Sequence, residues 1–96
     1  MKAYLIADIA INDSAVFSEY LVRMPEFVEK YGAQYLVKGN SPSVIEGQWH
    51  PEQLVIIEFP NRQVLDGFLK DAEVQNLFHL RHSSTDSNLI RVNGCT

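Results

Sequence analysis

The sequence predicts one α+β domain of element order β-α-β-β-α-β, an antiparallel four-stranded sheet with its helices on one face. Three observations predict it. The run Leu54-Val55-Ile56-Ile57-Glu58-Phe59-Pro60 has the β-branched content of a strand and stops at a proline. Two stripes with apolar steps of three and four, one from Val16 to Tyr31 and one from Val64 to Leu69, separate the strand-like runs. Ninety-six residues suffice for a single core, so residues 1–96 form one domain.

Each element follows in order. Tyr4 to Ile11 is apolar at nearly every position except Asp8, as in a strand covered on both faces. Asn12, Asp13 and Ser14 supply helix-capping side chains. The first helix then carries Val16, Phe17, Tyr20, Leu21, Met24, Phe27, Val28 and Tyr31 on its apolar face. Pro25 removes a backbone donor inside this pattern and predicts a kink or break near Met24. Gly32 is a C-terminal stop.

Gln34 to Lys38 reads as the second strand, and Gly39 to Ser43 as a loop. Val44-Ile45-Glu46 is a candidate strand stub, and Gly47 to Glu52 a turn around Trp49-His50-Pro51. Leu54 to Phe59 is the third strand. Asn61 caps the second helix, and Asp71 begins a further short helical piece that buries Val74, Leu77, Phe78 and Leu80. Ser83, Ser84 and Thr85 end it, and Leu89 to Val92 is the last strand. Two right-handed β-α-β crossovers then give the ferredoxin-like layout.

Composition excludes several functions. The apolar fraction is 46%, the charged fraction 21% and the net charge −4, with eight Lys and Arg scattered along the chain. Without a basic face, nucleic acid is not an expected partner. No segment approaches the roughly 20 apolar residues of a membrane span. The opening segment lacks a small-residue cleavage site and is broken by Asp8, so the chain is read as cytoplasmic. Cys95 is the only cysteine and excludes an internal disulfide. No phosphate loop, nucleophile elbow or paired-cysteine motif occurs, and no cofactor is expected.

A count of faces predicts self-association. Helices on one side of a four-stranded sheet cover only that side. The first and third strands are nevertheless apolar on both: Leu5, Ile9 and Ile11 alternate with Tyr4 and Ile6, and Val55 and Ile57 with Leu54 and Ile56. At about 25 cal/mol per Å² of apolar area, a wet face forfeits several kcal/mol. A homodimer packed sheet on sheet closes it.

Glu46-Gly47-Gln48-Trp49-His50-Pro51-Glu52 and the Leu54–Pro60 run, preceded by Tyr31-Gly32 and Tyr35-Leu36-Val37-Lys38-Gly39, resemble the domain-of-unknown-function family 1330. Arg81 matches a position where such proteins carry arginine. The resemblance covers almost the whole chain, and the tail Asn93-Gly94-Cys95-Thr96 adds nothing to it. It implies a dimeric α+β barrel, two ferredoxin-like protomers joined through their sheets. That superfamily includes heme-degrading and antibiotic-type monooxygenases and small lactone isomerases, while for family 1330 itself no general reaction is established. Fold does not imply function.

The candidate catalytic residues are Asp8 and Glu58, carboxylates that interrupt apolar strands and need partners or raised pKa values if buried. On one side of adjacent strands they could act as acid and base. The structural alternative pairs them with backbone donors or with Arg81 or Arg91. Arg81 is the candidate anchor for a ligand carboxylate, by two parallel hydrogen bonds; its alternative is an ion pair with Glu58, Asp8 or Asp86. Tyr20, with Arg23 three residues on, can reach the space between helix and sheet. Trp49 is a packing anchor or pocket rim, and His50 beside it a proton carrier. His79 and His82 have the spacing of two metal ligands but lack a third, so no metal is expected. Two functions result. One is a cofactor-independent enzyme or binder of a small organic acid in the helix–sheet cleft. The other is a non-catalytic dimeric module that binds a ligand or a protein.

Overall fold

The computed structural model describes residues 1–96. Seven elements follow in order: β1 (Ala3–Ile11), α1 (Ser14–Lys30), β2 (Gln34–Asn40), β3 (Gln53–Phe59), α2 (Arg62–Lys70), α3 (Ala72–Ser84) and β4 (Thr85–Asn93). The sheet order is β2-β3-β1-β4, and every pairing is antiparallel. This is the four-stranded arrangement expected from the element order, with β1 and β3 in the middle. No helix is long and apolar enough to cross a membrane.

The helix ends obey local chemistry. Asp13, Asn61 and Asp71 cap α1, α2 and α3, and each accepts a backbone N–H of the first turn, from Val16, Val64, and Glu73 and Val74. At the end of α1 Gly32 adopts φ 67°. Its N–H donates to the Glu29 carbonyl and that of Ala33 to the Val28 carbonyl. These are the two crossed bonds of a left-handed helix stop, a conformation that glycine adopts without strain.

Three expectations are corrected. α1 runs unbroken through Pro25 to Lys30. Met24, Phe27 and Val28 are all buried around the proline, so packing on both sides holds the helix through the lost hydrogen bond. Val44-Ile45-Glu46 is not a strand, because it lies in the β2–β3 connection with no sheet partner and Ile45 in water. β4 begins at Thr85 rather than Leu89, since Thr85 to Asn88 pair in register with Ile11 to Asp8.

The core lies between the helices and one face of the sheet. Ala3, Leu5, Ala7 and Ile9 of β1 and Ile57 and Phe59 of β3 point into it. Phe68 of α2 stands at its centre, 5.1 Å from the Phe59 ring and edge-on to Tyr31 at 5.6 Å. The other face is formed by Tyr4, Ile6 and Asp8, opposite Glu58, Ile56 and Leu54 on β3 and Val92, Ile90 and Asn88 on β4. No helix covers it. Ile90 is 59% exposed and Val92 48%.

Phe68 is fully buried. Phe68→Ala is expected to destabilise the protein by about 3–5 kcal/mol, through lost transfer energy and the cavity left behind. The urea-unfolding midpoint of the variant measures this.

Candidate functional site in the helix–sheet cleft

A cavity of about 50 Å³ lies between α1 and the sheet. β1 contributes Leu5, Ala7 and Ile9 to it, β3 contributes Gln53, Val55 and Ile57, and α1 contributes Phe17, Tyr20, Leu21 and Met24. Phe78 of α3, Leu89 of β4 and Tyr35 of β2 complete most of the remaining wall. The cavity continues into a wider mouth of about 210 Å³ between Leu21 and Pro25 on one side and Tyr35, Lys38 and Gln53 on the other. Lys38 Nζ lies 4.0 Å from the Tyr35 ring centroid, a cation over an aromatic face. Burial pushes the Tyr35 hydroxyl up to about 12, and it pushes Tyr20 up as well, against the opposing pull of the Arg81 guanidinium. Both therefore remain neutral phenols at physiological pH.

Arg81 of α3 does not line the cavity; it is packed behind two residues that do, Tyr20 and Phe78. It is 3% exposed. Its guanidinium lies over the Phe78 ring, 4.8 Å from the centroid, and beside Tyr20, and both rings line the cavity. Nη1 donates to Ser87 Oγ, and Nη2 lies 3.3 Å from His82 Nε2. Nε is buried with no partner. No carboxylate comes within the 4.0 Å of an ion pair. The three ion pairs considered from sequence, with Glu58, Asp8 and Asp86, are therefore absent. Arginine stays protonated in proteins, so a desolvated positive charge without a counter-charge lies behind the cavity wall. Burial and the neighbouring Arg81 charge lower the His82 pKa and favour a neutral imidazole.

The structure separates the other candidates from this point. Asp8 and Glu58 share a face, as the alternation suggested, but it is the face opposite the helices. Asp8 pairs with Leu54 and Glu58 with Tyr4, so four residues of strand separate them and they do not form an acid–base pair. Asp8 accepts the Trp49 indole N–H at 2.8 Å. Trp49 thus ties the β2–β3 connection across the uncovered face while remaining 59% exposed. Glu58 accepts from Gln34 at 3.1 Å and Tyr4 at 3.2 Å, with Lys2 at 3.6 Å. Gln34, then Tyr4 and Lys2, hold its carboxyl below the usual range against the opposing effect of burial. Arg91, the other arginine considered for Glu58, pairs with Asp66. His50 and His79 are exposed. The His79 and His82 rings are 6.2 Å apart, and no group of three or more His, Cys, Asp or Glu gathers anywhere as a metal-ligand set.

The family described as "Domain of unknown function (DUF1330)" matches residues 2–95. The chain belongs to this family. Solved structures similar to this DUF1330 protein share its ferredoxin-like fold. A protein of unknown function from Rhodopseudomonas palustris superposes with a TM-score of 0.82 at 15% identity, over 99% of this chain and 83% of that one. A dimeric ferredoxin-like protein of unknown function from Jannaschia sp. CCS1 gives 0.80 at 9%, over 98% and 100%. SnoaB, a cofactor-independent oxygenase from Streptomyces nogalater, gives 0.67 at 8%, over 99% and 94%. At these identities the likeness shows the fold alone. No curated protein matches significantly.

Four residues of the DUF1330 cleft were not singled out from the sequence. Tyr35, Lys38 and Gln53 line it or its mouth, and Ser87 holds Arg81. Ser87 sits on the helix side of β4 opposite Ile9, a signal visible once the strand is known to begin at Thr85.

The Glu58 cluster sets an acid response. Its folded pKa lies below the ordinary 4.5, so its stabilising contribution is complete above that value and is lost as pH falls through the folded value. Glu58→Gln is expected to flatten the loss of stability below pH 4.5, read from unfolding midpoints across that range.

Proposed function

We propose that the protein binds a small organic anion in the helix–sheet cleft of each subunit of a homodimer, with Arg81 as the anchor. One observation carries the ligand reading: a buried guanidinium with an unpartnered Nε and no carboxylate in reach. A buried charge is costly unless paired, and an arriving carboxylate supplies the missing charge and accepts the free donor. Tyr20 is the second polar group beside the anchor. A proton transfer on the bound anion would fall to Tyr20 or His82, the titratable groups beside Arg81, rather than to Asp8 or Glu58 across the sheet. The cofactor-independent oxygenase among the structural neighbours supports a fold able to carry a reaction without a cofactor.

The dimer rests on the uncovered sheet face. Ile6, Ile56, Ile90 and Val92 lie side by side there, and Val37 of the edge strand extends the patch. The neighbour described as dimeric and ferredoxin-like supports a second copy as the cover. In that arrangement Asp8, Trp49 and Glu58 belong to the seam. The competing reading is a non-catalytic dimeric module that binds a ligand or a protein, and turnover of a bound anion separates an enzyme from it.

Two measurements test this. Light scattering at micromolar concentration is expected to give twice the chain mass of 10.9 kDa, and Ile90→Asp to shift it toward the monomer. A monomer mass for the native chain overturns the dimer. Calorimetric titration with a panel of small carboxylates is expected to show binding that Arg81→Met weakens at least about tenfold, the worth of one charged hydrogen bond. Unchanged binding across the panel overturns the role of Arg81.

A further inference from the structure

We infer that the cleft admits a fatty acid of about six to ten carbons tail first, its carboxylate at Lys38 in the mouth and its terminal carbons in the cavity between α1 and the sheet. This goes beyond the Arg81 reading. Both take an anion into the cleft, but here the charge is met at the mouth and not behind the wall.

Cavity and mouth form one passage, because Leu21, Tyr35, Gln53 and Val55 line both. Lys38 is the only charged residue lining either. No carboxylate lies within 4.0 Å of its ammonium. The register of β2 on β3 fixes it there: Lys38 stands opposite Val55, and its Nζ sits 4.0 Å from the Tyr35 ring centroid. Two residues on, Asn40 pairs with Gln53, and both line the mouth. An anion at this rim therefore meets one cation and two amide side chains able to donate.

Polarity falls from the mouth inward. Three polar side chains belong to the cavity wall: Tyr20, Tyr35 and Gln53. Tyr35 and Gln53 also line the mouth, which puts them at the outer end. Tyr20 lies farther in and has the Arg81 guanidinium behind it as a hydrogen-bond partner. The remainder of the inner wall, including Leu5, Phe17, Ile57, Phe68 and Leu89, offers no polar side chain. A charged head placed there would lose its water without replacement, whereas a methyl terminus is stabilised by leaving water. The volumes set the shape. The enclosed 50 Å³ holds roughly four water-sized groups at about 10–15 Å³ each, against the roughly 150 Å³ of a cavity that takes up benzene. It suits the end of a narrow chain and not a ring. The mouth, at about 210 Å³, leaves room for the methylenes between that end and Lys38.

The test is a calorimetric and NMR series on the native protein with butanoate, hexanoate, octanoate and decanoate, and with octanedioate, octylammonium and octanamide as comparators. Carboxylate affinity is expected to rise by up to about fourfold per methylene from butanoate and to level off near decanoate. Octanedioate, which would bury a second charge, is expected to bind at least about tenfold more weakly than octanoate, and octylammonium and octanamide at least about threefold. Intermolecular NOEs are expected from the octanoate methyl to Leu5, Phe17 and Leu89, and from its C2 methylene to Lys38 and Gln53. Lys38 is exposed, so Lys38→Met is expected to fold and to weaken octanoate about threefold to fivefold at low salt. Added salt is expected to erase that difference, and Lys38→Arg to restore binding. NOEs that place the methyl at the mouth, an affinity independent of chain length, any comparator binding as tightly as octanoate, or unchanged affinity in Lys38→Met overturn this inference. Octanoate binding weakened by Arg81→Met but not by Lys38→Met overturns it and leaves the Arg81 anchor standing. Weakening by Lys38→Met alone supports it and removes Arg81 from the site of this ligand. Absence of octanoate binding overturns it whatever smaller carboxylates do at Arg81.

Discussion

A single helical layer covers one face of a four-stranded sheet, and most of this structure answers to that limit. β1 alternates strictly, with Ala3, Leu5, Ala7 and Ile9 toward the helices and Tyr4, Ile6 and Asp8 away from them. β3 does the same with Ile57 and Phe59 against Leu54, Ile56 and Glu58. The helix-side set is closed by Phe68, Phe78, Leu77 and Val74 into a dry core. The outward set has only the Trp49 connection lying over part of it. The apolar character of that set has no explanation within one chain, because hydrophobic burial stabilises only what is removed from water.

The same limit sorts the polar residues. Those on the uncovered face find partners at its margins: Glu58 with Gln34, Tyr4 and Lys2, and Asp8 with Trp49. These groups are ordinary surface pairs, and Glu58 is held in its charged form. Arg81, on the covered side, is different. The packing that buries it brings a serine, a histidine, a phenol and an aromatic face, but no anion. A guanidinium tolerates this environment better than an ammonium, because it is weakly hydrated and stacks on aromatic rings. It still leaves a buried donor without a partner, one residue layer from the apolar cavity that Tyr20 and Phe78 line.

The fold was legible in the sequence because its signals are local. Strand alternation, helical stripes and the caps Asp13, Asn61 and Asp71 each act within a few residues. The failures are equally physical. Pro25 signals a break locally, yet tertiary packing of Met24, Phe27 and Val28 overrides it. Asp8 and Glu58 looked chemically suggestive because a polar residue in an apolar strand is conspicuous. Its partner, however, is set by pairing with residues far along the chain, 41 positions away for Trp49 and 54 for Tyr4. Arg81 drew notice through family resemblance; nothing in its neighbours along the chain announces that it is buried without a carboxylate. The cavity was invisible for a related reason. A void is a difference between volumes contributed by several elements, and Ala7, the smallest side chain in its wall, looks in sequence like any other strand residue.

The two faces are not independent, and the edge strand shows why. β2 and β3 slip register between Tyr35 and Val37, leaving Leu36 as an extra residue. A bulge of this kind reverses which side the following residues occupy. Tyr35, before it, faces the helices opposite Ile57. Val37, after it, stands opposite Ile56 on the uncovered face, and Lys38 opposite Val55 on the helix side. Were Leu36 paired with Ile56 in regular register, Val37 would stand opposite Val55 at the cleft and Lys38 opposite Leu54 on the apolar outer face. The bulge therefore does two things with one insertion: it removes a charge from the patch that needs a partner, and it sets a cation over Tyr35 at the cleft mouth. The side chains on the uncovered face and those at the cleft mouth are thus set by the same irregularity in the backbone.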